Sequence, residues 1–406
     1  MAQHIRVGID IGTYQIKVAV AEHSSVDRSS AQDQKNQKST RMPRILGVGF
    51  AESKGMRHGY IINLADVGRS VRIAVNQAEK ASGIKIKKAF LSIGGMGLNA
   101  VVGHGSTVIS RADSEITDLD INKAIAASEN EIAKPLIMNR KILHTVPLEY
   151  KIDGKPALGR PEGMKGVKLE VKTLFITCLE HHINDIIQAV EEADIRVEDV
   201  IASPLAASLV TLTKLQKIAG CVLANIGAET VSIVVFENNL PISLEVFPIG
   251  STDITNDIAL GLKVPIEEAE NIKIGMPGDE SYSRKKLNEI IEARLSDIFE
   301  LIDAHLKKIG RNGLLPAGII ITGGGSGLGK LDDFAKTSLR LPSRIASLNL
   351  SGNFKTPIKD ATWAVAYGLC ILGFSASEDD NSIRAGKIIV KDSWRRIGDW
   401  FKQFLP

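Results

Sequence analysis

A carboxylate, a glycine turn and a lysine stand close together near the start of the chain, in Asp10-Ile11-Gly12-Thr13-Tyr14-Gln15-Ile16-Lys17. The chemistry these residue types offer at this spacing is the holding of phosphate. A glycine-bearing turn aims several backbone N–H groups at one point, a concavity suited to phosphate oxygens. Asp10, at the end of an apolar alternation, is placed to hold the water shell of a metal ion, and Lys17 to meet a phosphate as a point charge. Taken alone, the segment is also compatible with a purely structural β-hairpin.

A second copy favours the phosphate reading. Beginning at Val222 the pattern repeats: Val7, Ile11, Gly12, Val20 and Glu22 recur as Val222, Ile226, Gly227, Val235 and Glu237, and Asp10 recurs as Asn225. Self-similarity across half a chain implies two related halves, each offering one hairpin. Two such turns facing each other would clamp the phosphates of a nucleotide across a cleft. Gly323, Gly324 and Gly325 form a third element, bare glycines that let a flat ligand such as a nucleoside approach the backbone. The alternative, a dinucleotide-binding turn, lacks its usual Gly-x-Gly-x-x-Gly in a first βαβ unit.

The elements that must position these residues follow from hydrophobic periodicity. Ile5, Val7 and Ile9, then Ile16, Val18 and Val20, alternate with polar or small residues, giving strand, turn, strand. A strand at 45–50 follows, then a helix over 63–82 with Leu64, Val67, Val71, Val75 and Ala78 on one face, then two glycine-rich strands over 89–110. A helix over 117–133 and strands over 142–150 and 166–178 come next. The piece from about 87 to 166 therefore has its own strand–helix–strand layout and interrupts the first half as an inserted domain. Beyond it the pattern gives a helix over 182–194, a strand over 197–201 and a helix opening at Ser203-Pro204. After the second hairpin come a strand over 244–249, a helix capped by Ser251-Thr252-Asp253, another starting at Pro265, and a long one over 284–308 with a solvated charged face. Residues 24–41 read as a solvated loop and 375–386 as a linker.

Hydrophobic content of 44% and charged content of 24% are ordinary for a globular protein, and a net charge of +3 is too small to argue for nucleic acid. Cys178, Cys221 and Cys370 lack metal-ligand spacing and read as buried thiols of a reducing compartment. With no signal-peptide pattern and no run of the roughly 18 apolar residues a spanning helix needs, the expected location is cytoplasmic. Residues 391–406 differ from the rest. Trp394, Ile397, Trp400, Phe401, Phe404 and Leu405 lie along one helical stripe, flanked by Lys391, Arg395, Arg396 and Lys402. That composition fits a helix lying in the headgroup layer, where each basic residue adds about 1 kcal/mol near anionic lipid. The other reading is a terminal helix docked on the protein's own core.

With these residues in view, the chain resembles the FtsA family of bacterial cell-division proteins, the actin-fold tethers of FtsZ filaments, over nearly its whole length. Asp10-Ile11-Gly12-Thr13 with Lys17 is similar to the first phosphate motif of actin-type ATPases, and Asn225-Ile226-Gly227 with Thr230 to the second. Thr255-Asn256-Asp257-Ile258-Ala259 and Ala269-Glu270-Asn271-Ile272-Lys273 resemble the segment whose Glu and Lys line the adenosine pocket, and Ile321-Thr322-Gly323-Gly324 the adenosine loop. Leu143-His144-Thr145-Val146-Pro147-Leu148-Glu149-Tyr150 is the family's own mark within the inserted piece.

The resemblance implies an α/β, actin-like two-lobed fold: two duplicated ribonuclease-H-like halves around a nucleotide cleft, with an inserted small α+β subdomain. It divides the chain into a first half (1–86, 167–208 and a return at 363–374) interrupted by the inserted subdomain (87–166), and a second half (209–248 and 305–362) bearing a small helical and sheet subdomain (249–304). A flexible linker (375–390) and a membrane-targeting amphipathic helix (391–406) follow. ATP and Mg are the implied cofactors, with Asp10 meeting Mg through water. ATP would touch Asp10, Gly12, Thr13, Tyr14 and Lys17, then Asn225, Gly227, Ala228, Glu229 and Thr230, and finally Glu270, Lys273, Gly323, Gly324 and Gly325. Implied partners are the FtsZ C-terminal tail, further copies of the chain, other divisome proteins through the inserted subdomain, and an anionic membrane at the division site.

Departures from the family pattern modify this. Its second phosphate motif usually reads Asp-Ile-Gly-Gly-Gly-Thr; here Asn225 replaces the acid, and Ala228 and Glu229 the next two glycines. An amide cannot hold Mg²⁺ as a carboxylate does, and Glu229 is expected to put negative charge beside the phosphates. Ser203 stands where heat-shock chaperones of this fold have a glutamate that helps order the attacking water. Binding is expected to survive and hydrolysis to be slow or absent. The stretch 275–283, near where the family holds the FtsZ tail, is shorter than in most relatives. Two other readings are an active ATPase or sugar-kinase-like enzyme, for which no general base with a supporting motif is found, and the pilus-assembly adaptor PilM. PilM shares the hairpins, but the inserted piece and the terminal helix disfavour it.

Overall fold

The computed structural model describes residues 4–23, 42–276, 282–348 and 360–383, with the side chains of the last helix described to Ser375. The chain begins with β1 (His4–Ile11), β2 (Gln15–His23), β3 (Arg44–Glu52), the short pair β4 (Met56–Arg57) and β5 (Tyr60–Ile61), and α1 (Leu64–Ser82). Local chemistry sets α1. The Asn63 side chain accepts the Asp66 N–H at its start, Gly83 ends it in the left-handed region, and Val67, Val71, Ala74, Val75 and Ala78 bury one stripe. Then come β6 (Lys88–Ile93), β7 (Leu98–Val108), α2 (Asp118–Asn130), α3 (Lys134–Ile137), β8 (Arg140–Ile152), β9 (Lys155–Ala157) and β10 (Lys168–Leu179). Next are α4 (Glu180–Glu191), β11 (Arg196–Ala202), α5 (Ser203–Thr211) and α6 (Lys214–Ala219), leading to β12 (Cys221–Ile226), β13 (Val231–Glu237) and β14 (Leu240–Phe247). The remainder is α7 (Ser251–Leu262), α8 (Ile266–Lys273), α9 (Arg284–Lys308), β15 (Ile319–Thr322), α10 (Leu331–Leu339), β16 (Ser343–Ile345) and α11 (Ala364–Ile383).

The repeat in the sequence extends to the topology of two five-stranded sheets. One runs β11-β6-β1-β2-β3 and the other β16-β15-β12-β13-β14. In each, a hairpin is extended antiparallel on one side and by two parallel strands on the other. β1, β2, β3, β6 and β11 thus recur as β12, β13, β14, β15 and β16. Each sheet is covered by helices, which is why β6, β12 and β15 are buried along nearly their whole length and carry mainly apolar residues. Ile9, Val18, Leu91 and Ile201 belong to one core, and Ile233, Val235, Ile302 and Ile321 to the other. Helix α11 returns to the first sheet, where the Tyr367 hydroxyl donates to Pro43 O at 2.7 Å and Arg6 Nε to Gly373 O at 2.8 Å.

Several sequence-based boundaries change. The inserted unit is the four-stranded sheet β7-β10-β8-β9 with α2 against it, so it starts after β6 and ends with β10 rather than spanning 87–166. β6 pairs in parallel with β1 and β11 and belongs to the first half, while β10 pairs with both β7 and β8 at the centre of the insertion. The 208/209 and 304/305 divisions fall inside α5 and α9, each a continuous helix. Residues 249–304, read as mixed helix and sheet, hold α7, α8 and most of α9 and no strand among the described residues. Helix α11 continues to Ile383, into the stretch read as a linker, since propagating a helix whose first turns are already packed costs far less than nucleating one. The solvated loop at 24–41, part of the 275–283 stretch and the membrane-binding residues Trp394, Arg395, Arg396, Ile397, Trp400, Phe401, Lys402, Phe404 and Leu405 lie outside the described residues.

Candidate functional site

The two hairpin turns close in the same way. Gly12 N–H donates to Gln15 O at 3.2 Å and Gly227 N–H to Thr230 O at 2.9 Å. A Cβ on either glycine would lie 2.9 Å from that same carbonyl oxygen, so neither turn has room for a side chain without shifting. Both turns line one cleft of about 480 Å³ between the halves.

Asp10, Gly12, Thr13, Tyr14 and Lys17 reach this cleft from the first turn, and Asn225, Gly227, Ala228 and Thr230 from the second. Glu270 and Lys273 enter from α8, and Gly323, Gly324 and Gly325 from the loop after β15. Gly323, at φ 95, lies over the second turn, where a Cβ would come within 2.4 Å of both Asn225 Oδ1 and Ile226 O. The Asn225 side chain thus lies directly against the third glycine loop.

Glu229 is the exception. Its carboxylate turns away from the cleft lining and accepts the backbone N–H of His58 at 2.5 Å. Glu229 is absent from the cleft lining and spends one carboxylate oxygen on a donor from the other half, while its negative charge stays beside the second turn.

Asp10 and Lys17 form the ionic centre. Withdrawal from water holds the Asp10 carboxyl above its ordinary value, against the opposing pull of Lys17 and of the Ser92 hydroxyl, which donates to Oδ1 at 2.7 Å. Burial holds Lys17 below its ordinary value, opposed by Asp10 and Asp360. Its ammonium donates to Thr362 O at 2.9 Å, beside the Trp363 ring. A cation near Asp10 and an anion near Lys17 would each favour the charged form that burial disfavours, so the pair suits a hydrated metal and a phosphate. At the other wall, buried Lys273 donates to Thr255 Oγ1 at 2.8 Å and Ser251 O at 3.2 Å and pairs with Glu270 at 2.7 Å.

Sequence reading missed Ser92, Gly94 and Gly95, which line the cleft from the end of β6. The signal was present in the repeat. β6 is the counterpart of β15, and Ser92-Ile93-Gly94-Gly95 stands to Asp10 as Thr322-Gly323-Gly324 stands to Asn225. Ser203, from the first turn of α5, and Ser251 and Thr252, from the first turn of α7, add to the polar lining.

Comparison with known proteins adds independent findings. The family model described as Cell division protein FtsA matches residues 222–368, and that of the SHS2 domain inserted in FTSA matches residues 97–177. Cell division protein FtsA of Pseudomonas aeruginosa is 28% identical over 93% of this chain and 91% of its own length. The protein of the same name from Bacillus subtilis is 29% identical over 89% and 82%, and that from Escherichia coli K12 is 26% identical over 98% and 96%. Among solved structures, the PilM-PilN type IV pilus biogenesis complex aligns with a TM-score of 0.65 at 15% identity, over 91% of this chain and 98% of that one. MreB5 of Spiroplasma citri bound to ADP aligns with a TM-score of 0.52 at 11% identity, over 93% and 98%. At these identities the structural likenesses speak to fold.

Proposed function

The chain belongs to the FtsA family of cell division proteins, with that family's actin-like fold and inserted domain, and from that premise we propose that it is a nucleotide-controlled adaptor of bacterial division. In this reading it tethers FtsZ filaments to the inner face of the cytoplasmic membrane at the division site and helps recruit later divisome proteins. The observation that carries the nucleotide part is the pair of matching turns on one cleft. MreB5 of Spiroplasma citri, which shares the fold, is a protein seen with ADP and with AMPPNP. Here the turn N–H groups and Lys17 would hold the phosphates of ATP, Asp10 the hydrated Mg²⁺, and Glu270, Lys273 and Gly323 to Gly325 the nucleoside. Bound nucleotide would fix the angle between the halves and so favour self-assembly.

Hydrolysis is expected to be slow. Of the two carboxylates that line the cleft among the described residues, Glu270 is engaged by Lys273 and Thr255 and Asp10 by Ser92, and Ser203 offers no base. Phosphate release in single-turnover assays should therefore fall well below the usual enzyme range of about 1–1000 s⁻¹; turnover within that range would argue for the enzyme reading.

No described helix is long and apolar enough to cross a membrane. The attachment proposed here is the amphipathic stripe from Trp394 to Leu405, which binds reversibly as one copy and firmly as an array. Co-sedimentation of the full chain with anionic vesicles, with and without FtsZ and ATP, tests anchor, partner and nucleotide dependence together. Deleting 394–406 should leave the protein in the supernatant; continued flotation with vesicles would remove the anchor assignment. The pilus-adaptor alternative rests on fold likeness alone, whereas both family models and the sequence relatives point to division.

A further inference from the structure

The halves meet across the cleft through a contact that needs no ligand. β4 and β5 pair Met56 with Ile61 and Arg57 with Tyr60, leaving His58 and Gly59 as a two-residue turn. Both have positive φ, 48° and 85°, as a type I′ hairpin turn requires. The hairpin's own ladder does not use the His58 N–H, which projects from the tip. Its acceptor is Glu229 Oε2, in the other half, at 2.5 Å, and His58 Nδ1 lies 3.3 Å from Glu229 O.

Each end of this bridge is fixed to its own half. On the first side, Met96 N–H donates to His58 O at 3.3 Å, and Gly59 lies against Gly95 so closely that a Cβ on it would sit 2.4 Å from Gly95 Cα. On the second, Ser251 N–H donates to Gly227 O at 2.9 Å and Thr252 N–H to Ala228 O at 2.8 Å. The turn that carries Glu229 is thereby held on the start of α7. With both backbones anchored, moving the halves apart must break this bond. The equivalent position of the first turn is Tyr14, 63% exposed, so the bridge is not a property the repeat imposes.

We propose that Glu229 is a latch: its carboxylate holds the cleft closed in the absence of ligand and limits how fast a nucleotide exchanges. The exchange part rests on the nucleotide reading given above; the closure part does not. A carboxylate accepting an N–H is a charge-assisted bond, and losing one shifts an open–closed equilibrium by about tenfold or more. Gly59, Gly94 and Gly95 line the cleft beside the latch, so opening it uncovers the cleft at that end. A glycine here would leave closure to the ligand, whereas this chain carries a fastening of its own.

The test uses the full chain with spin labels at Ile73→Cys on α1 and Leu260→Cys on α7, both exposed sites, while the native cysteines are buried. Without nucleotide, the distance between labels should be single and narrow, and Glu229→Ala should lengthen and broaden it. Glu229→Gln, which keeps an acceptor but not the charge, should lie between the two. A fluorescent ATP analogue should dissociate about tenfold or more faster from Glu229→Ala than from the parent. An unchanged ligand-free distance in folded Glu229→Ala overturns the latch. If that variant does not fold, an unchanged distance in Glu229→Gln does so. If the parent binds no ATP analogue, the nucleotide reading fails while the distance measurement still decides the latch.

Discussion

Valine at either Gly12 or Gly227 is expected to weaken ATP binding by about a hundredfold or more, and by similar factors at the two sites. A Cβ at each position already lies 2.9 Å from the carbonyl oxygen that accepts the glycine's own N–H, and the valine methyls would press further on that oxygen. The turn must open, which breaks its closing hydrogen bond and swings neighbouring N–H groups away from their common point. Losing one or two hydrogen bonds to a charged phosphate costs about 1.5–3 kcal/mol each, and about 2.7 kcal/mol corresponds to a hundredfold. Calorimetric titration with ATP and Mg²⁺ measures the affinity, and melting without nucleotide checks the fold. Loss at one site only would mean that the second turn never meets the phosphates. Full affinity in both variants would remove the cleft from the functional reading.

That this experiment can be framed at all depends on a repeat legible in the sequence. Glycine, the following short turn and the flanking alternation recur because the same hairpin geometry requires them, so Gly12 and Gly227 could be paired before any coordinates. The repeat also contained Ser92 and Gly94, but strand-plus-glycine is a weaker pattern than a hairpin, and at the glycine end of β6 no charged residue marks it. Sheet membership was not legible. β6 and β10 have similar apolar patterns, and only pairing partners distant in sequence place one in the first sheet and the other in the insertion. The direction of Glu229 was hidden for the same reason: its donor is 171 residues away, at the tip of a turn whose conformation follows from His58-Gly59 and whose position does not. Local periodicity gives each element its faces, while long-range contacts decide which face meets which.

The same limit applies to His144, read from the sequence as part of a family mark, whose structural role supports a second large effect. It lies in β8 of the inserted unit, 2% exposed, and its Nε2 accepts the backbone N–H of Ala202 at 3.1 Å. Ala202 ends β11, next to Ser203 in the cleft, so this bond ties the insertion to the first half beside the site. A protonated imidazole has no acceptor nitrogen, and burial pushes the His144 pKa down to about 3. The unfolded chain takes up that proton near pH 6.5 and the folded chain only near pH 3, so between these values the unfolded state binds more protons and stability falls as pH falls. The contribution is fully present above about pH 6.5, declines by about 1.4 kcal/mol per pH unit below it, and amounts to roughly 5 kcal/mol by pH 3. Burial also holds His182 below its ordinary value, with the same sign, while Asp10, held above its own, acts oppositely. The difference between parent and His144→Gln removes both, because glutamine keeps an acceptor and does not titrate. Denaturant midpoints at pH 7.5, 6 and 5 should converge as pH falls, the parent losing about 2 kcal/mol more than His144→Gln between pH 7.5 and 5. Parallel curves would mean that His144 can be protonated in place, and the joint between the inserted unit and the cleft would then have to rest on other contacts.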